Sequence, residues 1–303
     1  MLVLLVLGCS PQATPLTLAP LEPASSDTLR IVALGDTGHR NDTQRRVASA
    51  VARVCAERGC DAVILLGDNI YPRGATAPDA PDALASFAPY ADLGVPVYAV
   101  LGNHDWGHGN DWGAARAQTA LAEGLPWLTV QPDWSLHAGP ASLFGLDTTR
   151  VFWDGAGRTA WMSDAVANAR GWRVVLGHHP LLSNGPHGDA GRYEGLPGIP
   201  WLSGRSVRTA LEDVLCDQAD VYLAGHDHSR QWHSQCGVQL IVSGAGSSVT
   251  ELSPPDPNTR FQAATPGLVW LSLGAVLTIA FHDVDGYLEH EGTLPPPERL
   301  AQP

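Results

Sequence analysis

Positive charge is scarce in this chain. Its 303 residues carry 18 Lys and Arg against 31 Asp and Glu, a net charge of −13. Binding along a nucleic-acid backbone needs clustered Lys and Arg, so that partner is excluded, as is peripheral attachment to anionic lipid. Long apolar runs are missing too. Leu268 to Phe281 is too short for a membrane span, contains Ser272 and Gly274 and runs into His282-Asp283, so it reads as buried strands joined by a turn. No internal repeat or long linker divides the chain. Cysteine is sparse: there are five, and their spacing matches no zinc motif. Apart from Cys9 they form an even set, Cys55, Cys60, Cys216 and Cys236, compatible with two disulfides in an exported protein. Local pairing fits both couples, but the spacing leaves connectivity open.

What is present is enough for one large α/β domain, with 44% hydrophobic residues, and the 32 Gly and 24 Pro imply long turns and loops. Five short motifs follow one another: Gly35-Asp36-Thr37-Gly38, Gly67-Asp68-Asn69-Ile70-Tyr71, Gly102-Asn103-His104-Asp105, Gly177-His178-His179-Pro180 and Gly225-His226-Asp227-His228. Each follows an apolar run that reads as a short buried strand: Leu29–Leu34, Ala62–Leu66, Val97–Leu101, Val174–Leu176 and Val221–Ala224. Between the first two, Val47, Ala50, Val51, Val54 and Cys55 recur at helical spacing, with Asn41, Asp42 and Thr43 as candidate caps. Strand, helix, strand predicts a βαβ unit, whose parallel strands bring the polar residues at their C-terminal ends to one edge of the sheet.

The residue types select the chemistry. Carboxylate, phenolate, amide oxygen and imidazole together suit iron, zinc or manganese, not a thiolate site or a calcium cage. Two adjacent cations need a bridge, and Asp68, on a central strand, is the candidate. Such a pair clamps a phosphoryl oxygen, lowers the pKa of a water and stabilises both the attacking and the leaving oxygen.

The motif set resembles the calcineurin-like metallophosphoesterase superfamily, and Gly67-Asp68-Asn69-Ile70-Tyr71 narrows the resemblance to the purple acid phosphatases, of the small tartrate-resistant type. The resemblance covers about residues 29 to 290. It implies a four-layer α/β/β/α sandwich with a dinuclear metal site at the C-terminal ends of the strands. It also implies hydrolysis of phosphate monoesters by attack of a metal-bound hydroxide, with activity at acidic pH. Asp36, Asp68, Tyr71 and His228 would hold Fe(III); Asp68, Asn103, His178 and His226 would hold a divalent metal (Fe, Zn or Mn). His104 and His187, the latter in the loop Asn184-Gly185-Pro186-His187-Gly188, would bind phosphate and protonate the leaving alkoxide. A diesterase or nucleotide hydrolase on the same metals is the alternative, with a non-catalytic surface-binding lipoprotein behind it.

The chain departs from the family where Thr37 replaces a frequent aromatic, His39 a small Gly and His179 a frequent Tyr. His39 is expected to cap the helix or lie on the surface, with a place behind the first metal's ligands as the alternative; His179 is expected to support the ligands or line the pocket, and Asp105 and Asp227 to orient neighbouring groups. Trp106 and Trp112 are expected at the pocket mouth, and Trp127, Trp134, Trp153, Trp161, Trp172 and Trp270 as core or half-buried packing. His108, His137, His233, His282 and His290 default to surface or satisfied structural positions.

At the N-terminus, Leu2 to Leu7 and then Leu7-Gly8-Cys9-Ser10 read as a signal peptide over residues 1–8 with a lipobox ending at Cys9. Residues 9–27, rich in Pro, Ala, Ser and Thr, read as a flexible linker, and 28–298 as the metallophosphoesterase domain. The sequence thus predicts an exported monomer acting on small-molecule phosphate esters. It would be a bacterial cell-envelope lipoprotein, or a periplasmic or extracellular protein, with Cys9 lipid as its membrane link.

Overall fold

The computed structural model describes residues 15–107, 111–193 and 203–301. The leader, Cys9 and His108 lie outside the described residues. The strands are β1 (Leu16–Thr17), β2 (Leu29–Leu34), β3 (Ala62–Leu66), β4 (Val97–Val100), β5 (Leu128–Val130), β6 (Trp134–Ala138), β7 (Ala141–Gly145), β8 (Trp172–Leu176), β9 (Val221–Ala224) and β10 (Arg230–Gln235). They continue with β11 (Val238–Ser243), β12 (Thr259–Ala263), β13 (Gly267–Leu273), β14 (Leu277–Asp283) and β15 (Leu288–Leu294). The helices are α1 (Asp42–Arg58), α2 (Pro81–Phe87), α3 (Trp112–Glu123), α4 (Thr148–Asp154), α5 (Ala160–Ala167), α6 (Arg205–Leu215) and α7 (Glu298–Ala301).

Two sheets result. One has seven strands in the order β15-β14-β13-β2-β3-β4-β5; the other has eight, β1-β6-β7-β8-β9-β11-β10-β12. Strands β2 to β5 are mutually parallel, as the βαβ reading requires, and β7, β8, β9 and β11 form the parallel centre of the second sheet. The apolar stretch Leu268 to Phe281 is the antiparallel pair β13 and β14.

Three apolar clusters separate four layers. Val47, Val51 and Val54 of α1, with Phe87 and Leu121, pack on Val32, Val63 and Leu65 of the first sheet. Ile31, Ile64, Val174, Leu223 and Ile241 join the two sheets face to face. Val207, Leu211 and Val214 of α6 and Met162 and Val166 of α5 cover the outer face of the second sheet. Alternate residues of β2 and β3 thus face opposite layers, which is why those strands are apolar throughout. The expected α/β/β/α sandwich is the observed fold.

Asn41 caps α1, its side chain accepting the N–H of Gln44. Disulfides join Cys55 to Cys60 and Cys216 to Cys236, the local pairings, and fit export to an oxidising compartment. The stretch 9–27 differs from a free tether over its described part. β1 pairs in parallel with β6, Leu21 bridges Ala138, and Leu18 and Leu21 pack on the core between the sheets. Leucines in that segment give it apolar surface to bury, which its Pro- and Ser-rich composition hides.

Candidate metal centre

Asp36, Asp68, Asn103, His178 and His226 each lie two or three residues beyond the C-terminal end of a strand, β2, β3, β4, β8 and β9 respectively. The first three come from one sheet and the histidines from the other, so the site sits where the two sheets meet. Three of these positions have backbones in the left-handed region: Asp36 (φ 57°), Asp68 (φ 51°) and His226 (φ 71°). Non-glycine residues rarely adopt it, and such strain concentrates at functional sites. Gly102 permits the closest approach: a Cβ there would lie 2.2 Å from Asp68 Oδ1 and 2.4 Å from Asp68 N.

Asp36 and Asp68 are buried, and they face imidazoles, a phenol and backbone amides. Asp36 Oδ2 accepts the N–H of His226 (2.8 Å), and Asp68 Oδ1 that of His104 (2.9 Å). The Tyr71 hydroxyl lies 3.1 Å from Asp36 Oδ1, 3.0 Å from Asp68 Oδ2 and 3.1 Å from His228 Nε2. His178 Nε2 lies 3.4 Å from Asp68 Oδ2 and 3.1 Å from Asn103 Oδ1. Ligand atoms of Asp36, Asp68 and His178 all fall within 4.8 Å of one another. Asp68 therefore stands between an Asp36–Tyr71–His228 group and an Asn103–His178 group, the place a bridging carboxylate takes.

The imidazoles are set for ligation through Nε2. His178 donates Nδ1–H to Leu66 O (2.9 Å), and His228 Nδ1 pairs with Ser248 Oγ (2.7 Å), so each keeps Nε2 turned toward the carboxylates. Burial opposes the charge of His178, but Asp68 and Asp36 more than offset it and draw its pKa up. Burial pushes Asp68 up, yet His178 and His104 bring it below the ordinary carboxylate value. Two buried carboxylates thus attract positive charge, a role two cations would fill. Burial and then the surrounding imidazoles hold His226 well below its usual pKa, in the neutral form a ligand requires.

The two acid candidates are also at the site. His104 donates Nδ1–H to Pro72 O (2.7 Å), and its Nε2 lies 3.8 Å from Asp68 Oδ2. The His187 ring stacks on His226 with centroids 4.2 Å apart, and its backbone N–H is accepted by Asp227 Oδ1 (3.0 Å). Asp105 accepts the backbone N–H groups of Asn69, Ile70 and Gly102, tying the second motif to the third. Burial, with Asp68 nearby, raises the Asp105 pKa.

His179 is buried, and Thr148 fixes its tautomer. Thr148 Oγ1 accepts the N–H of both His178 (3.2 Å) and His179 (3.0 Å), so its single hydrogen goes to His179 Nδ1 (2.9 Å). His39 is solvent-exposed, as expected, but Asn41 caps the helix and the His39 ring lies on Tyr71. Trp106 is not at the metal mouth: it is 1% exposed and donates to Asp147 Oδ2 (2.8 Å). With Trp112 it lines a cavity of about 380 Å³ whose walls include Leu16 and Arg116 and none of the candidate ligands. Trp153, expected as packing, is 53% exposed. His233 and His282 are buried with ring partners Gln231 and Gly286 O.

Sequence reasoning missed the loop after β11. Ser247 Oγ donates to Asp36 O and pairs with His39 Nδ1, while Ser248 holds His228. Its signal was Gly244-Ala245-Gly246-Ser247-Ser248 after another apolar run, a sixth strand-then-glycine turn without a ligand-type residue.

Residues 29–230 match the calcineurin-like phosphoesterase family, and the chain belongs to it. With the buried acid–imidazole cluster, it is a dinuclear-metal phosphatase, a hydrolase of phosphoric esters. Within that class it is similar to purple acid phosphatase 3 of Arabidopsis thaliana, 26% identical over 309 residues that cover 89% of this chain and 79% of the relative. It is similar too to mouse tartrate-resistant acid phosphatase type 5, 28% identical over 282 residues, 80% of this chain and 78% of the relative. Two solved structures share the fold. One is GAP50, the anchor in the inner membrane complex of Plasmodium (TM-score 0.70, 19% identity, 90% of each chain). The other is purple acid phosphatase PPD1 from yellow lupin seeds (TM-score 0.69, 16% identity, 91% of this chain and 55% of that one).

Proposed function

We propose that this chain is an exported acid phosphatase of the purple type that hydrolyses small phosphate monoesters. The observation that carries the reading is the Tyr71 hydroxyl, within 3.1 Å of a side-chain atom of Asp36, Asp68 and His228. A phenol among two carboxylates and an imidazole is a donor set suited to a hard ferric ion. In this reading Asp36, Asp68, Tyr71 and His228 hold Fe(III), and Asp68, Asn103, His178 and His226 hold divalent Fe, Zn or Mn. Such a pair supplies Lewis-acid polarisation and a water of lowered pKa.

The chain's own residues do the rest. With Nδ1–H bonded to Pro72 O, a protonated His104 would donate from Nε2, the atom that lies 3.8 Å from Asp68 Oδ2. His187, whose ring stacks on His226 and whose backbone N–H is held by Asp227, would donate to a phosphoryl or leaving oxygen from the loop side. Burial of Asp36 and Asp68 lowers the local dielectric and strengthens each of these interactions.

A visible spectrum of the purified protein tests the reading. A charge-transfer band absent from Tyr71→Phe is expected; a colourless wild type that is active with zinc or manganese would remove the ferric assignment. The further reading of localisation is a monomeric bacterial envelope lipoprotein acylated at Cys9, its membrane fraction lost in Cys9→Ser.

A further inference from the structure

We propose that His39 is a positioning residue for Tyr71, an inference that rests on the purple-type reading. The His39 ring lies over the phenol with centroids 3.9 Å apart and planes inclined by 24°. The His104 ring lies 4.3 Å from the phenol, tilted by 51°, and Tyr71 is left 6% exposed. The His39 ring is itself anchored. Ser247 Oγ gives its only hydrogen to Asp36 O, so it must accept from His39 Nδ1–H, at 2.8 Å. Asn41 Nδ2 donates to Ser247 O (2.9 Å), closing a frame between the helix cap and the loop after β11.

The frame has a purpose in geometry. Tyr71 reaches Asp36, Asp68 and His228 with one oxygen, and a small change in χ1 would swing the ring and that oxygen away. His39, stacked on the ring, blocks that swing on its side, and Ser247 couples its position to the backbone of Asp36, another residue the same oxygen touches. Since His39 lies on the surface, replacing it leaves the core intact.

The test compares wild type, His39→Ala, His39→Phe and Tyr71→Phe in the metal-loaded protein. Two readouts are used: the Tyr71-dependent visible band and the rate of metal release to a chelator. His39→Ala is expected to shift the band and to speed release roughly 10- to 100-fold, the usual cost of removing a group that orients a ligand. His39→Phe, which can stack but cannot bond Ser247, should recover most of both. A His39→Ala protein matching wild type in band and release, or a His39→Phe protein as perturbed as His39→Ala, overturns the proposal. A wild type without a Tyr71-dependent band fails the ferric reading instead. Zinc release then decides: faster release from His39→Ala than from His39→Phe upholds the stacking role, and equal release overturns it.

Discussion

Replacing Thr148 with valine removes one buried oxygen with almost no change of volume. That oxygen accepts two backbone N–H groups, from His178 and His179, and donates to His179 Nδ1. Thr148, His178 and His179 are all buried, so water cannot take over. Each stranded buried group costs about 1–3 kcal/mol. The three share one oxygen and relax together, so the cost is not additive and about 3 kcal/mol is expected. Thr148→Ser keeps the oxygen and loses one methyl, about 1 kcal/mol. Denaturant unfolding in the presence of chelator separates the two, because metal affinity then does not enter and an unchanged slope confirms a like-for-like comparison. A Thr148→Val protein within about 0.5 kcal/mol of Thr148→Ser would show that the hydroxyl is not the anchor of the fourth motif.

Gly102→Ala would push a methyl onto the backbone and carboxylate of Asp68, so it should abolish metal binding, by elemental analysis, while circular dichroism shows the fold retained. Burial, helped by Asp133, raises Asp147 to about 8, so its contribution is complete below its unfolded pKa near 4 and is lost as pH rises through about 8. Asp147→Asn should therefore flatten the fall in stability between those limits, measured as Tm against pH. Replacing Cys216 and Cys236 by Ser opens a loop with sequence separation 20 and should cost about 3 kcal/mol in chain entropy. The Cys55–Cys60 loop, separation 5, should cost about 2 kcal/mol, both read from denaturation midpoints.

The first sheet's parallel strands were legible because β2, β3 and β4 are uniformly apolar and each ends in a glycine turn with a polar residue, a pattern carried by adjacent letters. The candidate ligands were legible for the same reason. The order of the second sheet was not: β11 inserts between β9 and β10, a pairing that depends on contacts distant in sequence. Trp106 was misplaced because its burial depends on Asp147, a partner 41 residues away. Ser247 and Ser248 escaped notice because serine reads as a loop residue unless its partner is known. Leu18 and Leu21 were absorbed into a composition that suggested a tether.

The candidate ligands divide between the two sheets, with Asp36, Asp68, Tyr71 and Asn103 contributed by one and His178, His226 and His228 by the other. A growing chain therefore owns half a site until residue 228 has been made and the sheets have closed on each other. Before then neither candidate metal position has its full donor set. A full donor set exists only in the closed fold, and affinity alone does not choose among first-row ions. The pool of metal surrounding the finished fold, rather than the one at the site of synthesis, decides which ions this protein carries.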